Sequence, residues 1–230
     1  MKDSPLLPID YWNELKARYG DKSCIYTTVE HGWAGNYFKQ YDDLEKFNKK
    51  NGTNIRWIYG AEAYWVKDRH EADRSNCHIV LLARTDKGRK AINKILSIAN
   101  KDGYYARPRI DLELIDQLPY DDVMITTACV AFWNKYDDIA DIVRHLAESF
   151  SHFYLEVQAH NTPEQKELNQ RILQISEELL VPIIAGCDSH VITESQMLDR
   201  DELLKSGNIH YEDEDGWYLD YPTYDVPFER

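Results

Sequence analysis

An α/β barrel is the fold class this sequence predicts, and three observations predict it. Short apolar runs alternate with amphipathic helical segments along most of the chain. Those runs end, one after another, in His, Glu, Cys or Asp. The clearest of them, Leu179-Leu180-Val181-Pro182-Ile183-Ile184-Ala185, leads into Gly186-Cys187-Asp188-Ser189-His190. Strand–helix alternation implies a parallel sheet or a barrel. Chemistry in such folds gathers at the carboxyl ends of the strands. Ends that all carry metal-ligand types favour a barrel, where they converge on one mouth.

Taken in order, residues 25–29 read as a strand ending in Glu30-His31-Gly32. Residues 37–50 are polar and helical, stopped by Asn51-Gly52. A second strand, 55–61, ends in Glu62, and His78 opens a third at 79–83. The helix after it places Ile92, Ile95, Leu96 and Ala99 on one face and stops near Gly103. A short helix at 112–118 precedes the strand 123–128, which ends in Cys129. Ile139, Ile142, Val143 and Leu146 recur at helical spacing within 136–150. Strand 153–155 leads to Glu156. Thr162, Pro163 and Gln165 form a helix start with N-cap, N1 and N3 residues in place. That helix buries Leu168, Ile172, Ile175 and Leu179, and the sixth strand follows it. Asp188 and His190 stand two residues apart at its end, so in extended backbone their side chains share a side.

A chain of 230 residues suits one large domain with a substantial core. We expect residues 1–210 to form the barrel and the acidic, Tyr- and Pro-rich 211–230 to form a tail or linker. A net charge of −13 argues against a broad nucleic-acid-binding face, because phosphate contacts need cations. It leaves room for a small basic site, and for divalent ions that supply positive charge themselves. No segment is long or apolar enough to span a membrane, and the start carries no secretion signal. Cys24, Cys77, Cys129 and Cys187 are therefore expected as reduced thiols of a cytoplasmic protein.

His31, Glu62, His78, Cys129, Asp188 and His190 form the candidate metal set, since imidazole, carboxylate and thiolate hold zinc, manganese or iron. Each alone has a plainer reading: a structural histidine, a solvated loop acid, a core thiol. The weight lies in their joint occurrence at strand ends. Arg107 and Arg109 either fork onto a phosphate or solvate a loop. Glu30 is either a partner of His31 or an exposed acid. His70, His145, His152, His160 and His210 read as structural or surface residues. The tail aromatics Trp217, Tyr218, Tyr221 and Tyr224 are expected to pack against the barrel.

Val29-Glu30-His31-Gly32, Gly60-Ala61-Glu62-Ala63-Tyr64, His78-Ile79-Val80-Leu81-Leu82-Ala83, Thr126-Thr127-Ala128-Cys129 and Asp188-Ser189-His190 together resemble the polymerase and histidinol phosphatase (PHP) domain. Gly103-Tyr104-Tyr105 with Pro108-Arg109, and Phe153-Tyr154-Leu155-Glu156, are similar to its branch in the bacterial DNA polymerase III alpha subunit. The resemblance implies a distorted TIM-like barrel of seven strands. It implies up to three divalent ions, such as zinc, manganese or magnesium. Carried over, the six residues above are ligands, with Asp188, His190 and His31 closest to the chemistry. The family opens with a His-x-His strand that this sequence lacks; Asp3 is the nearest match to the Asp that follows it. The resemblance therefore predicts a barrel without its first strand and with fewer metal positions.

Three functions remain open. One is a metal-dependent phosphoesterase, of the 3′–5′ exonuclease type, acting on a DNA 3′ end beside the remaining polymerase III alpha segments. The second is a non-catalytic scaffold, and the third a histidinol-phosphatase-like enzyme. Nothing in the chain resembles a polymerase active site.

Overall fold

A computed structural model describes residues 4–75, 77–209 and 217–221. Its strands are β1 (Ser23–Thr28), β2 (Asn54–Trp65), β3 (Cys77–Ala83), β4 (Tyr104–Tyr105), β5 (Arg107–Ile110), β6 (Val123–Thr126), β7 (Phe153–Gln158) and β8 (Ile183–Gly186). The α-helices are α1 (Pro8–Tyr19), α2 (Tyr37–Asn51), α3 (Asp86–Asp102), α4 (Leu112–Ile115), α5 (Val130–Asn134), α6 (Ile139–Ser149), α7 (Pro163–Leu179) and α8 (Met197–Ser206). The sheet runs β4-β5-β2-β3-β6-β7-β8, with β1 paired to the first half of β2. It curls into a half-barrel with helices packed on it, as expected of a distorted TIM-like barrel. No helix among the described residues is long and apolar enough to cross a membrane.

The sheet departs from all-parallel order at one strand. β3 is antiparallel to both β2 and β6, while β1/β2, β2/β5, β6/β7 and β7/β8 are parallel. The link between β2 and β3 is too short to hold a crossover helix, so the chain must turn straight back. This reversal brings the start of β3, where His78 lies, to the edge at which the parallel strands end. Two strands also escaped the sequence pattern. β4 and β5 are two and four residues long and flank Ala106, a single-residue tip at φ 61°. The expected sixth strand was placed too early: α7 continues through Leu179, Leu180 takes the left-handed conformation at its C-cap, and β8 starts only at Ile183. The helix expected at 112–118 is one turn, capped by the Asp111 carboxylate.

Alternation along β2 and β3 sorts the two faces. Tyr59, Ala61, Ala63, Trp65, Cys77, Ile79 and Leu81 are buried in the main core, against Ile92, Ile95, Leu96 and Ala99 of α3 and the apolar faces of α6 and α7. Glu62, Tyr64 and His78 occupy the other, concave face. A second core joins Trp12 and Leu15 of α1, Tyr26 of β1, Leu44 and Phe47 of α2, and Ile55. Residues 217–221 lie along 190–192: the His190 and Val191 amides donate to the Leu219 carbonyl, and Leu219 is buried. Asp3, His210 and Tyr224 fall outside the described residues.

Gly88 shows how closely α3 meets the start of β6. A Cβ at this position would fall on the Asp122 carbonyl oxygen, while Thr85 accepts the Gly88 amide and donates to the Asp122 carboxylate. Gly88→Ala must therefore push helix and loop apart. It should lower the unfolding free energy by about 1–3 kcal/mol, read as a fall in urea midpoint with an unchanged m-value. An unchanged midpoint would show that the contact is slack.

Candidate metal centre

β1 sets the first element of the site. Its register with β2 pairs Thr28 with Tyr59, and three residues further on the same register gives an isolated parallel bridge between His31 and Glu62. The Gly32 amide donates to the Glu62 carbonyl at 2.7 Å, and the Glu62 amide to the Glu30 carbonyl at 3.1 Å. Gly32 adopts φ 63°, where an L side chain is disfavoured, and a Cβ there would meet Pro108 and Tyr64. His31 is thus held over β2 by backbone geometry.

Glu62 lies between two imidazoles. His31 Nε2 is 3.4 Å from one carboxylate oxygen and His78 Nδ1 is 3.2 Å from the other. The two rings are 4.5 Å apart, and one ligand atom from each of the three residues falls within 4.8 Å of the others. Tyr64 stacks on His31 at 5.5 Å with an interplanar angle of 18°, and the Arg107 guanidinium sits over Tyr64 at 5.0 Å.

His78 carries the test of fit. Burial first, and then the positive charges of His31 and Arg107, push its pKa down to about 3. At neutral pH its ring is therefore uncharged and keeps a lone pair. Its Nε2 is buried with no hydrogen-bond partner, a costly state for a polar atom unless something else satisfies it. Two neutral-capable imidazoles and a carboxylate are a donor set for a divalent transition metal. The residues present fit such an ion.

Of the remaining expected ligands, Cys129, Asp188 and His190 lie outside its 4.8 Å group. Cys129 follows Ala128, which has a positive φ, and its Sγ accepts the His78 amide at 3.2 Å. Burial raises its thiol to about 12, and its sulfur braces the His78 backbone. Asp188, at φ 42°, and His190 follow β8; His190 Nδ1 is 2.8 Å from the Asp188 carbonyl and 3.7 Å from its carboxylate. Beside them Glu156 accepts from Thr126 at 2.7 Å and from Gln158 at 3.0 Å. Its pKa is raised by burial, with the Asp188 charge adding to it. Gly186 makes that packing possible, since a Cβ there would strike the Glu156 carboxylate.

The two arginines have different neighbours. Arg109 is buried, and its guanidinium donates to the backbone carbonyls of Gly103, Arg69, Glu71 and Asp73 at 2.6–2.9 Å. It braces the 69–73 loop from a buried position, whereas the sequence left it open between a phosphate contact and a solvated loop. Arg107 keeps its place over Tyr64. Glu30 is half-buried, its pKa raised by burial, and it touches the site through its carbonyl. His160 stacks on Trp217 at 4.4 Å and accepts the Tyr218 amide, a packing role. His145 pairs with Asp116 at the surface. Tyr64 and Glu156 were quoted in the motifs yet given no role; Tyr64, two residues from Glu62 on the same strand face, was the one alternation could have singled out.

The family described as PHP domain matches residues 24–160 of the chain. The DNA polymerase III subunit alpha of Aquifex aeolicus is 32% identical over 213 residues, covering 79% of this chain and 18% of that protein. Its counterpart from Borreliella burgdorferi is 29% identical over 206 residues, covering 84% and 17% respectively. That of Thermus aquaticus is 26% identical over 175 residues, covering 70% and 14%. The chain spans less than a fifth of the length of these relatives.

Proposed function

Because the chain belongs to the PHP domain family and is homologous to the PHP region of DNA polymerase III alpha subunits, we propose that it is a metal-dependent phosphodiesterase domain. Its reaction would be of the 3′–5′ exonuclease type, on a DNA 3′ end, within a cytoplasmic replicative polymerase. The observation that carries this reading is the His31–Glu62–His78 cluster with its buried, unpartnered His78 Nε2. A divalent cation, when bound, supplies positive charge for the phosphate and a water acidic enough to attack near neutral pH. His31, Glu62 and His78 would hold it, with Cys129, Asp188 and His190, and Asp3 beyond the described residues, as further candidate ligands. Tyr64 would orient His31 by stacking, and Arg107, over Tyr64, would neutralise a non-bridging phosphate oxygen. Asp188 and His190, at the end of β8, are the groups proposed to move protons to and from the reacting oxygens.

The test is elemental analysis of the chain after exposure to zinc or manganese, followed by hydrolysis of a 3′-labelled single strand. One or more equivalents of metal should be retained, with 3′-terminal hydrolysis only in the loaded protein. Absence of metal would instead support a structural scaffold. Phosphate release from histidinol phosphate without attack on DNA would support the small-molecule phosphatase.

A further inference from the structure

Resting on the phosphodiester reading, we infer that the β4–β5 hairpin is a track that delivers single-stranded DNA to the metal cluster. Bases stack on Tyr104 and Tyr105, and phosphates meet Arg74 and Arg107. Across the hairpin Tyr104 lies opposite Pro108 and Tyr105 opposite Arg107. Tyr104 is 61% exposed and Tyr105 36%. The Arg74 and Arg109 guanidinium groups lie 5.5 and 5.4 Å from the Tyr105 ring centre, and that of Arg107 lies 5.0 Å from Tyr64. Tyr64 in turn stacks on His31, so Arg107 of β5, Tyr64 and His31 form a series leading from the hairpin to the cluster.

The hairpin also abuts the cluster directly. A Cβ on Gly32, the neighbour of His31, would lie 2.7 Å from the Pro108 ring.

Interleaved rings and cations suit a single strand, whose bases are unstacked and each present a π face. A duplex hides those faces and needs a broad cationic surface, which a chain of net charge −13 does not offer.

The experiment is fluorescence anisotropy of a short 5′-labelled oligothymidylate with the whole chain in excess EDTA. Binding then depends on neither metal nor turnover. Tyr104→Ala and Tyr105→Ala should each weaken binding by about tenfold, while Tyr105→Phe keeps it. Arg107→Ala should reduce the slope of log K against log salt by about 0.7. The inference is overturned if the oligonucleotide does not bind, if a duplex of equal length binds as tightly, or if the alanine variants bind like the parent. Binding without hydrolysis by the metal-loaded protein would contradict the proposed function alone. Hydrolysis with unaltered binding in the tyrosine variants would contradict the track alone.

Discussion

Glu62→Gln should strip the metal from the His31–His78 cluster. The carboxylate is the only anionic member of the trio, and each of its oxygens faces one imidazole. Glutamine keeps the volume and the backbone bonds to Gly32 and Glu30 but removes the charge. Changes to residues that merely support ligands already cost about 10–100-fold in affinity, so losing a charged ligand should cost at least about 100-fold. Competition titration against a chromogenic chelator measures this directly, with circular dichroism showing that the fold persists. Parent-like affinity in the variant would place the ion elsewhere, at the Asp188–His190 end of the sheet.

The largest expected loss of stability comes from Asp111→Ala. Both Asp111 oxygens accept from Arg69 Nη1, at 2.8 and 2.9 Å, one of them also takes the Arg69 amide, and the other caps α4 at the Leu114 amide. The two residues are 4% and 7% exposed. Removing one partner of a buried pair strands the other, at about 3–5 kcal/mol. Glu113 also reaches Arg69, at 2.8 Å, which places the cost near the lower end. A loss of about 3 kcal/mol is a large share of a total that is typically about 5–15 kcal/mol. Urea unfolding should show it, and Arg69→Met combined with Asp111→Leu should recover most of it by replacing the pair with apolar packing. A single-variant loss under about 1 kcal/mol would mean that Glu113 alone satisfies Arg69.

Most of the fold could be read from periodicity, because the long elements obey it. The apolar face of α3 and the Thr162 cap of α7 lie where spacing puts them. What failed was short or shared a composition with its opposite, and the helices α1 and α8 were not placed at all. β4 and β5 are too brief to establish alternation, and Leu179 and Leu180 suit a helix end as well as a strand. The direction of β3 depends on the length of a loop, which hydropathy does not encode. At the site, an expected strand-end position singled out His31, Glu62 and His78, although β2 runs on past Glu62 to Trp65. It could not rank Arg107 over Arg109, since their difference rests on four backbone carbonyls from loops distant in sequence. The environment of Cys129 was equally illegible, because burial there is set by α5 closing over β3.

The reversed course of β3 has a consequence for how the site comes into being. β2 and β3 form a hairpin through a short loop, whereas the parallel neighbours wait for helical crossovers to close. Contacts near in sequence form before distant ones, so Glu62 and His78 meet at the earliest stage of assembly. His31 joins when β1 docks on β2. A divalent ion present during refolding would then accelerate the reaction by steadying that hairpin, and stopped-flow refolding with and without zinc would reveal it as a faster folding limb.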